Sequence, residues 1–139
     1  MLALEEYVRS SGIDPTLLHL VKVRASFLNG CAYCIDMHTK DARAAGETEH
    51  RLYALAAWRD TPFFTARERA ALAWTDAVPR LGPDGGADEV YETARAQFQE
   101  AELVRLTLAI VAINGWNRLS IAFRPEVGGY QPNRSEALR

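Results

Sequence analysis

The sequence of 139 residues has little that would direct it to a membrane or to nucleic acid. Its longest aliphatic run, Leu108 to Ile113, is far shorter than the roughly 20 residues that cross a bilayer. The first residues lack the basic start and apolar centre of a secretory signal. The 16 basic and 18 acidic residues leave a net charge of −2 and form no basic block. We therefore expect a cytoplasmic protein that binds neither nucleic acid nor a membrane.

The chain also lacks the polar and apolar alternation of a half-buried strand, so no β-sheet is expected. Apolar residues recur every three or four positions and predict an all-α fold of about six to seven helices. The length and the 48% hydrophobic content suit a single domain over residues 1–139, with a C-terminal arm over 125–139. The predicted helices span about residues 2–9, 15–28, 31–45, 49–58, 66–78, 88–98 and 101–123, with a loop from Gly82 to Gly86.

Two of these helices have clear start signals. Asp14 followed by Pro15 combines a capping side chain with proline at the first helical position. Thr65 and Glu68 have the spacing of a capping box, in which each side chain satisfies the other residue's backbone N–H. Asn29 and Gly30 predict the end of one helix just before the first cysteine.

Cysteine is scarce, and the two that are present lie three residues apart, as Cys31 and Cys34, with His38 one helical turn further on. Residues three and four apart share a helix face, and their Cα atoms, about 5 to 6 Å apart, suit a disulfide. We place Cys31 in the first turn of a helix, where a CxxC pair commonly has a lowered thiol pKa. In a reducing compartment such a pair indicates redox chemistry.

The spacing also divides the roles of the two thiols. His38 lies one turn from Cys34 but about 10 Å of axial rise from Cys31. We therefore assign base-assisted attack to Cys34. Cys31 would resolve the oxidised partner and meet an outside reductant.

Two other interpretations of these residues remain open. Free cysteines are often buried as small hydrophobes with no reactivity. Alternatively, His19, Cys31, Cys34 and His38 provide two imidazoles and two thiolates, which is a ligand set of structural zinc sites. The spacing of the second pair and the absence of a knuckle turn disfavour zinc.

The segment from Val21 to Cys34, followed by His38, closely resembles the AhpD-like alkylhydroperoxidase family of the carboxymuconolactone decarboxylase superfamily. Residues 40–43, 45–48, 51–55 and 114–118 are also similar to that family. The resemblance covers roughly Pro15 to Arg124, and the CxxC with its trailing histidine is the specific part.

The resemblance implies an all-α subunit that forms homo-oligomers, commonly trimers or hexamers, and reduces a hydroperoxide at the expense of an external dithiol or protein reductant. It implies no cofactor and no metal. In the family the second cysteine is oxidised, the first closes the disulfide and the histidine relays protons, which here are Cys34, Cys31 and His38. The family relay usually includes a glutamate at the position of His19. His19 is therefore a candidate catalytic residue of an altered relay, and the alternative is a core or interface histidine that faces a neighbouring helix.

Two competing functions stay open. A redox-sensing or structural oligomer would use the cysteine pair to change its assembly without significant turnover. A lactone decarboxylase, as in the namesake of the superfamily, would use histidine acid/base chemistry, and the CxxC pair disfavours it.

Overall fold

The computed structural model describes residues 1–83 and 88–133, and these form helices and turns without a β-strand. This confirms the predicted all-α fold. The predicted loop at 82–86 and the predicted arm at 125–139 extend beyond the described residues. In chain order the helices are α1 (Leu2–Ser10), α2 (Pro15–Asn29), α3 (Ala32–Ala44), α4 (Glu49–Ala54), α5 (Ala66–Ala77), α6 (Asp88–Arg95) and α7 (Glu100–Phe123), with 3₁₀ helices at Leu55–Asp60 and Val78–Arg80.

The predicted helix over 49–58 is in fact two elements. The α-helical part ends at Ala54, and the chain continues as a 3₁₀ helix interrupted at Ala57, whose φ of −123° and ψ of 39° are not helical. This short piece buries Leu55 and Trp58. Packing of these two large side chains therefore decides the local backbone, which the apolar spacing alone does not reveal.

The predicted caps are present. The Asp14 carboxylate accepts a hydrogen bond from the N–H of Leu17 at 3.1 Å and begins α2. The Thr65 hydroxyl accepts from the N–H of Glu68 at 3.2 Å, and the Glu68 carboxylate accepts from the N–H of Thr65 at 2.7 Å. Gly30 ends α2 with a left-handed φ of 65°, a conformation that costs other residues about 1 kcal/mol or more.

Helix α2 is the centre of the molecule, because it lies against α3, α5 and α7. Its sequence is apolar on more than one side, as expected of a helix surrounded by others. Several of its side chains are less than 2% exposed, and they pack with buried side chains of α5 and α7. The fully buried set includes Leu20, Val21, Val23, Leu72, Leu106, Ile110 and Ile113.

Among the described residues α7 is the one helix long and apolar enough to cross a membrane by length and composition. Its Leu106, Ile110 and Ile113 are buried within the helical core. Asn117 on the same helix is fully buried and has polar partners in α2. Burial in the core thus accounts for part of the apolar character of α7, since 39% of its apolar window is buried.

Candidate functional site

The two cysteines lie where α2 ends and α3 begins. Cys31 is the N-cap residue of α3 and not part of its first turn, so the predicted placement is shifted by one residue. Its sulfur accepts a hydrogen bond from the N–H of Cys34 at 3.3 Å. Both thiols are free, and the left-handed turn at Gly30 brings the chain into position for this cap.

Both thiols are buried, with Cys31 and Cys34 each 1% exposed. Burial, together with a hydrogen bond to Cys31, raises the pKa of Cys34 to about 11. The predicted lowering of the thiol pKa is therefore wrong for Cys34. A helix start favours thiolate, but the loss of solvation opposes the charged form and is the larger effect here.

Polar side chains of α7 contact the buried thiol. Asn117 and Ser120 both hydrogen-bond to Cys34 and act to lower its pKa, although burial outweighs them. The Asn117 amide nitrogen also donates to Ser26 at 3.1 Å, and its oxygen accepts from the amide of Asn29 at 2.9 Å. These two bonds fix the amide orientation, and because one N–H is used for Ser26, the other is left for Cys34.

Asn117 falls in segment 114–118, which the sequence analysis noted only for its family resemblance, and Ser26 and Ser120 were not singled out. The signal that was available is the presence of uncharged polar residues inside the apolar helices α2 and α7. A buried polar group needs a partner, so such residues point to a network across the two helices.

His38 lies on α3 and is 7% exposed. It lines a cavity of about 410 Å³ together with His19, Tyr33 and Trp116. Burial lowers the pKa of His38 to about 3, and the nearby charges of Lys22 and His19 act in the same direction. The ring is therefore neutral at pH 7, with lone-pair and N–H sites available for proton transfer.

The structure thus arranges the four predicted site residues as two pairs. His19 and His38 line the same cavity, whereas Cys31 and Cys34 contact each other and are not part of its lining among the described residues. Tyr33, between the two cysteines, does line the cavity. The cavity therefore reaches the cysteine segment of the chain without exposing the sulfurs.

The zinc interpretation needs four donors gathered at one point. Within residues 1–83 and 88–133, no group of three or more His, Cys, Asp or Glu side chains is placed to hold a metal ion. The two imidazoles and the two thiols form separate pairs, so this donor set does not fit a tetrahedral site.

Fold and site together define an all-helical protein with a free CxxC pair next to a histidine-lined cavity. The sequence model of the carboxymuconolactone decarboxylase family matches residues 1–77. The chain belongs to this family, and it is an AhpD-like member of the superfamily.

Individual relatives agree with this assignment. The uncharacterized protein YdfG of Bacillus subtilis is 44% identical over 122 residues, which cover 88% of this chain and 83% of that protein. A crystal structure of an Agrobacterium tumefaciens protein of unknown function, suggested to be the antioxidant defence protein AhpD, is 45% identical with a TM-score of 0.88 over 93% of this chain and 88% of that one. A variant of the debrominase Bmp8 with 2,3,4-tribromopyrrole has a TM-score of 0.78 over 91% of this chain and 68% of that one; at 19% identity this shows a shared fold.

Proposed function

We propose that the protein is a cysteine-based peroxidase that reduces hydroperoxides through a dithiol and disulfide cycle of Cys34 and Cys31. The observation that carries the proposal is the contact between two free thiols, in which the Cys31 sulfur already accepts the N–H of Cys34 at 3.3 Å. Such neighbours can join without a large backbone movement. The adjoining cavity with His38 and Tyr33 offers space for a hydroperoxide.

In the proposed cycle the Cys34 thiolate attacks the terminal oxygen of the hydroperoxide, and the O–O bond breaks. The alkoxide leaves, takes a proton and departs as the alcohol, while Cys34 becomes a sulfenic acid. The Cys31 thiol then attacks the Cys34 sulfur, which forms the disulfide and releases water. An external dithiol reduces the disulfide by exchange and is itself oxidised.

Proton transfer is the demanding step of this cycle. A thiol with a pKa near 11 is ionised in about one molecule in ten thousand at pH 7. Desolvation holds the pKa values of Cys34 and His38 far apart in the closed site. When the site opens and water enters the cavity this effect is relieved, the neutral imidazole of His38 accepts the proton, and the hydrogen bonds from Asn117 and Ser120 stabilise the thiolate once it forms. Turnover therefore requires an opening that admits the substrate to Cys34.

We further propose a homo-oligomer, a trimer or a hexamer, in a reducing cytoplasm with a dithiol or protein reductant. Large apolar side chains on the outer face of α7 support association, since Val104 and Val111 are half-exposed and Phe123 is 81% exposed. Large apolar side chains left exposed on a helix are typical of protein interfaces.

The direct test is stopped-flow oxidation of the reduced protein by hydrogen peroxide and by cumene hydroperoxide. Cys34→Ser should abolish the reaction, because it removes the attacking sulfur. Cys31→Ser should leave the first step and stop the disulfide, so that dimedone traps a sulfenic acid on Cys34. The double variant, which has no thiol, is the blank.

If neither single substitution changes the rate, the peroxidase proposal is wrong. A wild-type rate equal to that of free cysteine, together with a change of oligomer on oxidation seen by light scattering, would favour the sensor. Consumption of carboxymuconolactone that survives the double cysteine variant and disappears in His38→Gln would favour the decarboxylase.

A further inference from the structure

The segment after α7 folds back onto α3 and forms one wall of the cavity. Tyr130 and Asn133 both line the cavity. The ammonium group of Lys40 donates to the backbone oxygens of Gly128 at 3.2 Å and Tyr130 at 3.0 Å, and to the Asp36 carboxylate at 2.9 Å. These bonds use the three donors of the lysine, so residues 128–130 are anchored through the backbone.

The anchored tyrosine reaches a carboxylate next to His38. The Tyr130 hydroxyl donates to one oxygen of Asp41 at 2.7 Å. The other oxygen of Asp41 lies 3.9 Å from Nδ1 of His38, at ion-pair distance. An approach of about 1 Å would convert this contact into a hydrogen bond.

The other charged groups at the cavity come from α1 and α2. Lys22 and His19 act electrostatically on His38 and oppose its protonation. Lys22 is paired with Glu5, and Arg9 lines the same cavity. Asp41 is thus a carboxylate on the Nδ1 side of His38, while the positively charged groups at the cavity, Arg9 and Lys22, lie on α1 and α2.

We propose that Asp41, oriented by Tyr130, is a positioning residue that holds the proton of His38 on Nδ1 and leaves Nε2 as the acceptor. A carboxylate beside one ring nitrogen favours the N–H on that nitrogen and fixes the ring orientation. The segment from Gly128 to Tyr130 is then part of the site. The kinetic consequence rests on the proposed function, but the effect on the imidazole does not.

The first measurement is ¹⁵N NMR of the histidine rings at pH 7, in the reduced protein. The chain has 3 histidines, so His19→Gln and His50→Gln assign the signals of His38. Asp41→Asn should shift the tautomer ratio of His38 about fivefold away from the Nδ1–H form, because a neutral amide replaces the negative charge beside Nδ1. Tyr130→Phe keeps the ring and the backbone anchors, and it should move the ratio in the same direction by less.

The chain offers a matched control for the tyrosine. The Tyr53 hydroxyl also donates to a carboxylate, that of Glu49 at 3.2 Å, and it lines a different pocket. Tyr53→Phe should leave the ring signals of His38 unchanged. Identical His38 signals in the wild type, Asp41→Asn and Tyr130→Phe would overturn the proposal.

The second measurement is the rate of Cys34 oxidation in the same variants. Asp41→Asn should slow it about fivefold and Tyr130→Phe by less, with Tyr53→Phe at the wild-type rate. If the NMR signals of His38 change as expected, but Cys34→Ser does not lower the rate of oxidation, the positioning role stands and the peroxidase function fails. If Asp41→Asn slows oxidation without moving the His38 signals, the positioning role fails.

Discussion

Two buried clusters of ionisable groups in this molecule have opposite charge states: one holds a charged group, and the other holds neutral groups. Asp76 on α5 is 6% exposed, and burial alone would raise its pKa, but Arg24 and Arg59 outweigh burial and lower the pKa. Arg24 binds both carboxylate oxygens, at 2.7 and 3.1 Å, and the indole of Trp58 adds a further donor at 3.3 Å. The cluster therefore holds a charge inside the protein.

At the cysteine and histidine site, burial decides the charge state. The pKa of Cys34 is raised to about 11 and that of His38 is lowered to about 3, so both groups are neutral at pH 7. The same helical core thus holds a buried charge with two arginine partners and, at the cysteine and histidine site, two groups that lack a full counter-charge. We therefore expect loss of the Asp76 charge to affect mainly stability, and changes at the cysteine and histidine site to affect mainly chemistry.

Removing the charge of Asp76 should give the largest change in stability. Asp76→Asn leaves Arg24, whose side chain is 11% exposed, without its counter-ion, and we expect a loss of about 3 to 5 kcal/mol in the free energy of unfolding. Urea denaturation followed by circular dichroism measures it. Asp60→Asn, which removes an exposed carboxylate, is the control and should stay within about 0.5 kcal/mol. A loss below about 1 kcal/mol would contradict the comparison.

The rate of Cys34 oxidation should depend steeply on pH. With a pKa of about 11, the thiolate fraction grows about tenfold per pH unit, or about 300-fold from pH 7 to 9.5. Free cysteine, with its pKa near 8.5, gains only about 30-fold over the same range. Pseudo-first-order oxidation by hydrogen peroxide measures both. A rate that levels off near pH 8 would mean that the pKa of Cys34 is much lower than its burial implies.

His38 should make the fold sensitive to acid. Its folded-state pKa of about 3 lies below the unfolded value of about 6.5, so its contribution is intact above pH 6.5 and is lost as the pH falls toward 3. Between pH 7 and 4.5 this amounts to about 2 to 3 kcal/mol. Denaturation at the two pH values should show a smaller loss in His38→Gln than in the wild type. His50→Gln, at an exposed histidine, should behave like the wild type.

The smallest effect is expected at Asn117, whose contact with Cys34 acts against the rise in thiol pKa that burial causes. Asn117→Ala removes a hydrogen bond to Cys34, and we expect about tenfold slower oxidation at pH 7. Asn114→Ala is the matched control, because Asn114 lies one turn earlier on α7 and accepts from the same Asn29 amide at 2.9 Å. Equal slowing in both variants would assign the effect to the amide network and not to the thiol contact.

The helical fold was accessible from sequence because its signals are local. Apolar spacing located the helices, and side chains such as Thr65 and Glu68 fixed a helix start. The break at Ala54 was missed, since it depends on the packing of Leu55 and Trp58 against distant residues. Local rules do not contain that information.

The candidate site was only partly accessible. Spacing along one helix explains why Cys31 and Cys34 meet, and why His38 follows on the same element. The thiol pKa was predicted with the wrong sign, because the burial of Cys34 is produced by chain segments far away in sequence. Tyr130 illustrates the same limit: it lies in the predicted arm, and only the fold brings its hydroxyl to Asp41, 89 residues earlier.

Because both sulfurs are enclosed, their rate of labelling by a thiol reagent reports local opening of the structure. With Cys31 and Cys34 each 1% exposed and no other thiol in the chain, a labelling reagent reacts only in molecules whose α2–α3 junction has come apart. The labelling rate therefore measures how often that junction opens, and comparison with the rate of peroxide consumption would show whether access or chemistry limits the proposed reaction.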